Sequence, residues 1–458
     1  MAHPTQFAPG GTAPGMTRYR WVICALLFFA TTFNYLDRQV ISYLKEYFCT
    51  PTEHGGFGWS NTDYAHLTAA FTFFYAGMTI LAGWVIDKIG TKLGLAISLI
   101  VWSVFGMANA LVGRSVMVHM IVRSAFGIGE AGNFPASIKT VAEWFPKRER
   151  ALATGIFNSG TSFGAMAAAL FVPWCMIHYG SALGWKMAFI LTGAVGFIWL
   201  IFWFWLYETP AKHKRLSKAE YDYIHIDDEP EVHDDNGDTA KVPWLHLFAY
   251  RQTWAFFCGK FLTDGVWWFY LFWLPDYLKK QFGMSSQEVM LPTFIVYGVA
   301  MVGSVFGGSV PMALIKRGMP VYQARMTAML LIALLPLAVL STQYFANVSQ
   351  FGRMASTLAV AVICIGAAAH QAWSANLFTT VSDMFPKKAV GSVTGIGAMA
   401  GGLGGVLVQL LVGALTDAFK DNPQHAYLIM FVLSALSYLF AWGIMKAFVP
   451  RHKPITDL

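Results

Sequence analysis

The stretch that decides the fold runs from Met120 to Pro146 and reads MIVRSAFGIGEAGNFPASIKTVAEWFP. It is apolar enough for a membrane helix, yet it contains Arg123 and Glu130, seven residues apart. Seven steps of roughly 100° return almost to the starting direction, so both side chains share one helix face, roughly 10 Å apart along the axis. An ionisable group in hydrocarbon costs at least ~2.5–3.5 kcal/mol. We therefore expect this face to meet a counter-charge, a ligand or a water-filled cavity.

The rest of the chain has the composition of a membrane protein: of its 458 residues, 56% are hydrophobic and 12% are charged. Apolar runs of about 20 residues, long enough to cross the hydrocarbon layer, recur from end to end. The formal net charge of +7 resides in short loops between these runs, which argues against a nucleic-acid partner. The five cysteines have no CxxC or ligand-like spacing, so we interpret them as buried small side chains.

We predict an all-α polytopic membrane protein with twelve transmembrane helices in two pseudo-symmetric six-helix bundles. The approximate spans are 20–44, 61–86, 92–112, 115–142, 150–177, 185–207, 252–280, 288–316, 322–342, 353–381, 389–417 and 425–448. The predicted domains are an N-terminal tail (1–19), the first bundle (20–207), a polar linker (208–250), the second bundle (251–448) and a C-terminal tail (449–458).

Lysine and arginine set the predicted orientation in the membrane. They concentrate in alternate loops, as in KRER at 147–150 and KHKR at 212–215, and are fewer in the loops between. By the positive-inside rule, both termini and the linker are cytoplasmic. The first residues are rich in proline and glycine and lack a cleavable signal pattern, so the first span is retained. We expect a multi-pass protein of the cell's inner (cytoplasmic) membrane.

An internal repeat supports the two bundles. The segment EWFPKR at 143–148 recurs as DMFPKK at 383–388, and TGI at 154–156 recurs at 394–396. Both pairs are 240 residues apart, which indicates a duplication and matches span four with ten and span five with eleven. Duplicated halves of this kind enclose a binding site at their interface. The same offset places His370 opposite Glu130.

Span one carries a second pair of charges within FNYLDRQVISYL (33–44). Asp37 could form a packing ion pair with Arg38 or with Arg123. In the functional interpretation, Arg38 and Arg123 bind an anionic substrate, because a guanidinium binds a carboxylate through two parallel hydrogen bonds and keeps its charge. Asp37 and Glu130 then exchange protons, since an anion arriving at a neighbouring arginine changes how readily a carboxyl group takes a proton.

Span two ends in GWVIDKIGTK (83–92), an acidic and basic segment that predicts a tight turn at the cytoplasmic side. The residues assigned to this turn, a candidate cytoplasmic gate, are Gly83, Asp87, Lys88 and Gly90. Tyr75, earlier in the same span, could donate its hydroxyl to a sugar-like ligand or could simply pack.

Span seven contains KFLTDGVWWFYLFWLP (260–275). Lys260 and Asp264 are four residues apart, so either they pair with each other or Lys260 binds the ligand. Trp268 belongs to a group of aromatic residues that could stack on the apolar face of a sugar.

Span ten carries several polar side chains on an otherwise apolar helix: His370, Gln371, Trp373 and Asn376. Such groups either hydrogen-bond to neighbouring helices or form a polar wall that contacts substrate. His370 could carry a proton or only donate a hydrogen bond. Asn158 of span five could reach the substrate or could belong to a close helix contact.

No GxxxxGK[ST] loop, HExxH motif or convincing nucleophile or metal constellation occurs in the chain. These observations argue against an ATP-driven transporter and against an enzyme. We expect no metal ion and no cofactor.

These segments resemble the major facilitator superfamily, specifically its anion:cation symporter branch. The resemblance rests on NYLDR (34–38), RSAFGIGEAGNFPA with EWFPKRERA (123–151), and the linker's ETPAKHKRLSKAEYDYI (208–224). KFLTDGVWWFYLFWLP and AAAHQAWSANLFTTVSDMFP are similar to bacterial hexuronate transporters. The resemblance implies that Arg38 and Arg123 are substrate-linked, that Asp37 and Glu130 couple protons, and that Tyr75 lines the cavity.

We therefore expect a monomeric, proton-coupled symporter that imports a sugar acid anion by alternating access, with the hexuronates glucuronate and galacturonate favoured. Its partners are then the small organic anion, the proton and the lipid bilayer. The alternatives are a carrier of another organic anion, such as an aldonate, glucarate or an aromatic acid, and an efflux carrier. A non-transporting sensor would need a signalling domain, which the tails and linker do not provide.

Overall fold

A computed structural model describes residues 16–226, 244–385, 387–451 and 455. Most of the predicted N-terminal tail (1–19), the middle of the predicted linker (208–250) and most of the predicted C-terminal tail (449–458) lie outside the described residues. The boundaries of the five predicted segments remain predictions.

The described part of the chain is built from α-helices joined by short turns. The helices are α1 Tyr19–Cys49, α2 Asn61–Ile89, α3 Thr91–Ala108, α4 Val116–Glu130, α5 Asn133–Trp144, α6 Lys147–Leu206, α7 Lys218–Ile224, α8 Arg251–Phe282, α9 Met290–Lys316, α10 Val321–Leu334, α11 Thr342–Phe345, α12 Val348–Phe351, α13 Met354–Met384, α14 Lys387–Ala418 and α15 Pro423–Phe448. The all-α polytopic fold predicted from the sequence is confirmed.

The span predicted at 115–142 is not one continuous helix: α4 ends at Glu130 and α5 begins at Asn133. The physical reason is Pro135, which has no backbone N–H to donate and whose ring would clash with the carbonyl of Ala131 in an unbroken helix. As a consequence, Glu130 is the last residue of α4, beside the break between the two helices.

Spans five and six are joined in the single long element α6. Gly180 interrupts it with φ 72° and ψ 165°, a conformation that glycine adopts without steric cost. Within the described residues, nine helices have the length and hydropathy of a membrane span, and the one containing Gly180 counts as two. Helix α8, whose polar and aromatic side chains lower its hydropathy, and the broken α4–α5 segment complete the twelve predicted crossings.

The helices form two halves. In the first half α1 packs along α6 and α4 lies against α2 and α3, while in the second half α13 packs against α9, and α14 and α15 against α8. The halves meet where α2 contacts α14, where α6 contacts α9 and where α1 contacts α8. The sequence repeat matches span four with span ten and span five with span eleven, and the same shift of six spans matches span two with span eight. The α2–α14 and α6–α9 contacts are therefore equivalent positions of the two halves.

Small residues bring α2 and α14 together at two levels. A Cβ on Gly402 would lie 2.2 Å from the Cβ of Ala76, and one on Gly413 would lie 2.2 Å from the Cβ of Ala65, closer than two carbon atoms can approach. The two levels are eleven residues apart in each helix, which corresponds to roughly 16 Å along the axis. The contact thus extends from the middle of the molecule to the end where α1 ends and α2 begins. We call this end the far face and the opposite end, where α1 begins and α15 ends, the terminal face.

Candidate functional site

Arg38 of α1 and Glu130 of α4 form an ion pair at the centre of the molecule. Arg38 Nε donates to Glu130 Oε2 at 2.8 Å, and both side chains are at most 1% exposed. A second, longer hydrogen bond runs from the Arg38 guanidinium to Asn34 Oδ1 at 3.4 Å. The carboxylate partner of Arg38 is therefore Glu130, ninety-two residues away in sequence, and not its neighbour Asp37.

Aromatic rings surround the Arg38 guanidinium. Its Cζ lies 4.3 Å from the ring centroid of Tyr35, 4.6 Å from that of Tyr75, 5.4 Å from that of Trp268 and 5.5 Å from that of Phe71. Ring faces attract a cation and compensate part of its lost hydration. Because Trp268 belongs to α8 of the second half, Arg38 lies at the interface between the halves. The structure thus brings together three of the predicted substrate residues, Arg38, Tyr75 and Trp268.

Arg123 lies next to this pair, fully buried and without a carboxylate partner among the described residues. One of its terminal nitrogens donates to the Arg38 carbonyl at 3.4 Å, whereas Nε and the other terminal nitrogen have no hydrogen-bond partner in the described structure. The rings of Phe126 and Phe71 lie 4.5 and 4.9 Å from its Cζ. A buried guanidinium with unused donors can accept an anion through two parallel hydrogen bonds.

Asp37 faces a different direction from Arg38, because successive helix residues are rotated by about 100°. Its side chain is 2% exposed and lies near Trp102 of α3 and Thr192 of α6, inside the first half. The Trp102 and Thr192 side chains face its carboxylate without reaching normal hydrogen-bond length, and Oε1 of Glu130 also has no donor among the described residues. A buried carboxylate oxygen without a donor is costly when charged, and protonation removes that cost. Both carboxyl groups therefore have the surroundings of proton acceptors.

Lys260 and Asp264 pair with each other on α8. The Nζ–Oδ2 distance is 2.5 Å, and the side chains are 6% and 19% exposed. Lys260 Nζ also lies 4.4 Å from the ring centroid of Phe378 on α13. Trp268 follows Asp264 by one turn of the same helix. The pair therefore lies in the second half, on the terminal-face side of the aromatic residues around Arg38.

The predicted polar residues of span ten do not converge on one wall. His370 stacks on Trp267 at 5.1 Å with an interplanar angle of 4°, and its Nδ1 shares a 2.9 Å hydrogen bond with the Tyr438 hydroxyl. Asn376 donates to the Gly307 carbonyl at 2.8 Å and so joins α13 to α9. His370 and Asn376 therefore join neighbouring helices, which is one of the two roles that the sequence left open for them.

The remaining predicted substrate residues lie on helices other than those that carry the Arg38–Glu130 pair. Trp373 is fully buried beside Tyr438, with no partner for its indole N–H among the described residues. Gln371 and Asn158 are half-buried, on α13 and α6.

The predicted turn after span two is present. Gly90 ends α2 with φ 83°, which a side chain would strain. Lys88 is exposed, with Nζ 3.9 Å from the Trp84 ring centroid, and a Cβ on Gly83 would have no atom within 4 Å. The Asp87 side chain is outside the described structure, so its place in the candidate cytoplasmic gate remains a prediction.

A polar cluster at the far face, the far-face cluster, was not predicted; only its members Lys45 and Asp276 are buried. Its members join both halves: Lys45, Asn61, Asp276, Lys280 and Asp417. Lys45 Nζ lies 2.8 Å from Asp276 Oδ1 and donates to Asn61 Oδ1 at 2.7 Å, and Lys280 contacts both of these partners. Tyr427 donates its hydroxyl to Asp276. Asp417 accepts hydrogen bonds from the backbone N–H groups of Asn61 and Thr62, at 3.1 and 2.6 Å. A carboxylate of the second half therefore caps the first turn of α2 in the first half.

A short repeat could have revealed this cluster from the sequence. YLKEYF at 43–48, at the end of α1, matches YLKKQF at 277–282, at the end of α8. The two equivalent lysines make reciprocal ion pairs, Lys45 with Asp276 and Lys279 with Glu46 at 2.6 Å.

Within the part of the chain that the structure describes, no group of three histidine, cysteine, aspartate or glutamate side chains is arranged to hold a metal ion.

Comparison with known proteins gives consistent matches along the chain. The model of the Major Facilitator Superfamily matches residues 27–409. The chain is 32% identical to a hexuronate transporter of Escherichia coli (strain K12), covering 93% of this chain and 94% of that protein. It is 27% identical to a D-galactonate transporter of E. coli O6:H1 (94% and 97% covered) and 28% identical to a probable galactarate/D-glucarate transporter of E. coli K12 (93% and 95%).

Two solved structures share the fold. A bacterial homologue of the human lysosomal transporter Spinster, in an inward-facing and unoccupied conformation, superimposes with a TM-score of 0.75 at 18% identity, covering 96% of this chain and 100% of that one. A D-xylose–proton symporter gives a TM-score of 0.70 at 18% identity, with 95% and 100% covered.

Proposed function

The chain belongs to the Major Facilitator Superfamily, and from this premise we propose that it is a proton-coupled symporter that imports a sugar acid anion, with glucuronate and galacturonate as the first substrates to test. It is a multi-pass membrane transporter and not an enzyme. The relatives that it matches along nearly its whole length are also transporters. Those relatives carry a hexuronate, a galactonate and aldarates, which supports a sugar acid as the substrate class.

The observation that carries the proposal is the buried Arg38–Glu130 pair beside the unpaired guanidinium of Arg123, at the interface of the halves. When Glu130 takes a proton, the Arg38 guanidinium loses its counter-ion and becomes available to a substrate carboxylate. Arg123 adds unused hydrogen-bond donors to the same region. Protonation of Glu130 without an anion would leave both guanidinium groups without a counter-ion in a buried site, so protonation is linked to anion binding.

The rest of the predicted site then holds the sugar. The rings of Tyr75 and Trp268 border the Arg38 guanidinium and can stack on the apolar face of a pyranose. Asp37 serves as a second proton acceptor within the first half, where no side chain reaches its oxygens at normal hydrogen-bond length. Gln371 and Asn158 are half-buried and can contact hydroxyl groups as the halves move.

We assign the terminal face to the cytoplasm, with both chain termini, and the far face to the outside of an inner membrane. The basic loops support this orientation through the positive-inside rule. The two six-helix units, 20–207 and 251–448, then rock about the central pair as a monomeric carrier. In the present structure the far-face cluster holds the outer ends of the two units together.

Purified protein in proteoliposomes tests the proposal directly. An imposed inward proton gradient should drive accumulation of radiolabelled glucuronate or galacturonate above the external concentration, and a proton uncoupler should abolish it. If neither hexuronate accumulates, the substrate or the coupling is wrong. A thermal-shift screen of aldonates, aldarates and aromatic acids on the same preparation then identifies another anion, and outward transport of a preloaded anion would indicate an efflux carrier.

A further inference from the structure

The carboxylate of Asp264 has no role in the proposed proton or substrate cycle, yet it lies 2.5 Å from the cation of Lys260 and is the more exposed member of that pair. Helix α14 makes room for it: a Cβ on Gly401 would lie 2.2 Å from Asp264 Oδ2. The pair therefore occupies a fitted position between α8 and α14, one turn from Trp268.

A purely structural role explains this pair poorly. On an isolated helix, an acidic residue followed four positions later by a lysine is the stabilising order, and here the order is reversed. A buried ion pair also loses hydration, and well-packed apolar side chains often stabilise such a position equally well. Close contacts at other levels already join α8 to α14, because Phe256 packs on Gly397 and Trp268 packs on Gly405.

The buried cations near the proposed site differ in whether a carboxylate neutralises them. Arg38 has a carboxylate oxygen at 2.8 Å and Lys260 has one at 2.5 Å, whereas Arg123 has none among the described residues. A substrate with one carboxylate can replace Glu130 on the arginines when Glu130 is protonated. A second carboxylate at the other end of the sugar would meet a lysine that is already neutralised and the negative charge of Asp264.

We propose that Asp264 is a specificity-determining residue: by neutralising Lys260, it makes the carrier accept sugar acids with one carboxylate and reject those with two. The inference rests on the proposed sugar acid function and narrows it to monocarboxylates. It is a case of specificity achieved by an unfavourable contact with the wrong ligand.

The test compares glucuronate with glucarate, which share the six-carbon chain and differ at C1, an aldehyde that closes to a pyranose in glucuronate and a second carboxylate in glucarate. Because the ring also differs, the change in selectivity between variants, and not the wild-type preference alone, reports on Asp264. Competition of each compound against labelled glucuronate uptake gives a selectivity ratio for the wild type and for Asp264→Asn. We expect the wild type to favour glucuronate. The variant should shift the ratio toward glucarate by at least about tenfold, the lower end for a charge-assisted hydrogen bond to the freed lysine.

The double variant Lys260→Met/Asp264→Asn is the matched control, because it removes the same carboxylate without leaving a free cation. Its ratio should return to within a few-fold of the wild type. The inference is overturned if the wild type favours glucarate, if folded Asp264→Asn keeps the wild-type ratio, or if the double variant retains the shift. Where Asp264→Asn does not fold, Asp264→Ser removes the same carboxylate and is expected to give the same shift. If the wild type accumulates neither compound in a proton gradient, the proposed function itself fails, a result distinct from an unchanged ratio.

Discussion

The two carboxylate oxygens of Glu130 have different surroundings. One oxygen accepts a 2.8 Å hydrogen bond from Arg38, and the other has no hydrogen-bond donor among the described residues. It is also the last residue of α4, directly before the break at Ala131 and Gly132. A proton on the unpartnered oxygen would weaken the ion pair without requiring the helix to move. Protonation and release of Arg38 are thereby linked at one residue.

Replacing Glu130 by glutamine should separate coupling from binding. The amide keeps the shape of the carboxyl group and leaves Arg38 free at all times, so counterflow exchange of the substrate should persist while gradient-driven accumulation is lost. Both are measured in the same proteoliposomes, with Glu53→Gln at an exposed position of the far face as the control. An equal loss of exchange and accumulation would indicate a structural or binding role for Glu130 instead.

The sequence predicted the burial of these charges but not their pairing. The seven-residue spacing of Arg123 and Glu130 was enough to place both on an interior face, because an apolar helix cannot turn two charges toward lipid. The pairing of Arg38 with Glu130 depends on how α1 packs against α4. The helical periodicity of either segment carries no information on that packing. Adjacent residues such as Asp37 and Arg38 point about 100° apart, so adjacency in sequence was the wrong guide.

At the level of helices, the contact between α2 and α14 depends on residues that have no room for larger side chains. Gly402 faces Ala76 and Gly413 faces Ala65 across the interface of the two halves. Without a hydrophobic driving force between helices in lipid, such small residues give association through close backbone approach. The glycines of span eleven are visible in the sequence, but the helix that packs against them is known only from the fold.

Gly402→Val should therefore push the two helices apart. Overpacking of a fitted contact costs about 1–3 kcal/mol, so the thermal midpoint of the purified protein should fall and transport should slow. Gly77→Ala is the matched control, since a Cβ at that position of α2 meets no atom within 4 Å. A Gly402→Val protein with the midpoint and rate of the control would show that the close approach does not limit the motion of the halves.

Across the whole molecule, the duplicated halves meet through equivalent groups with reciprocal charges. Lys45 of α1 pairs with Asp276 of α8, and Lys279 of α8 pairs with Glu46 of α1. The duplication is visible in the sequence at an offset of 240 residues, but these lysines are 234 residues apart, so that offset does not match them. A contact between two halves needs their relative placement, which neither half's pattern of hydrophobic residues specifies.

The far-face cluster should control how readily the outer ends of the halves separate. Asp417 accepts hydrogen bonds from the first backbone N–H groups of α2, so Asp417→Ala removes a helix cap that exists only while the halves are together. Loss of such a cap costs about 1 kcal/mol, which corresponds to a roughly fivefold increase in the ratio of open to closed far face.

Spin labels at Glu53 and Lys420, exposed far-face residues of the first and second halves, report this ratio as the population of long distances in a double electron–electron resonance measurement. Asp421→Ala is the matched control, because it removes an exposed carboxylate four residues away from Asp417. Since a cap across the interface stabilises only the closed arrangement, Asp417→Ala should lengthen the distances while the control does not. Identical distance distributions in the two variants would mean that the lysine–aspartate pairs alone hold the far face closed.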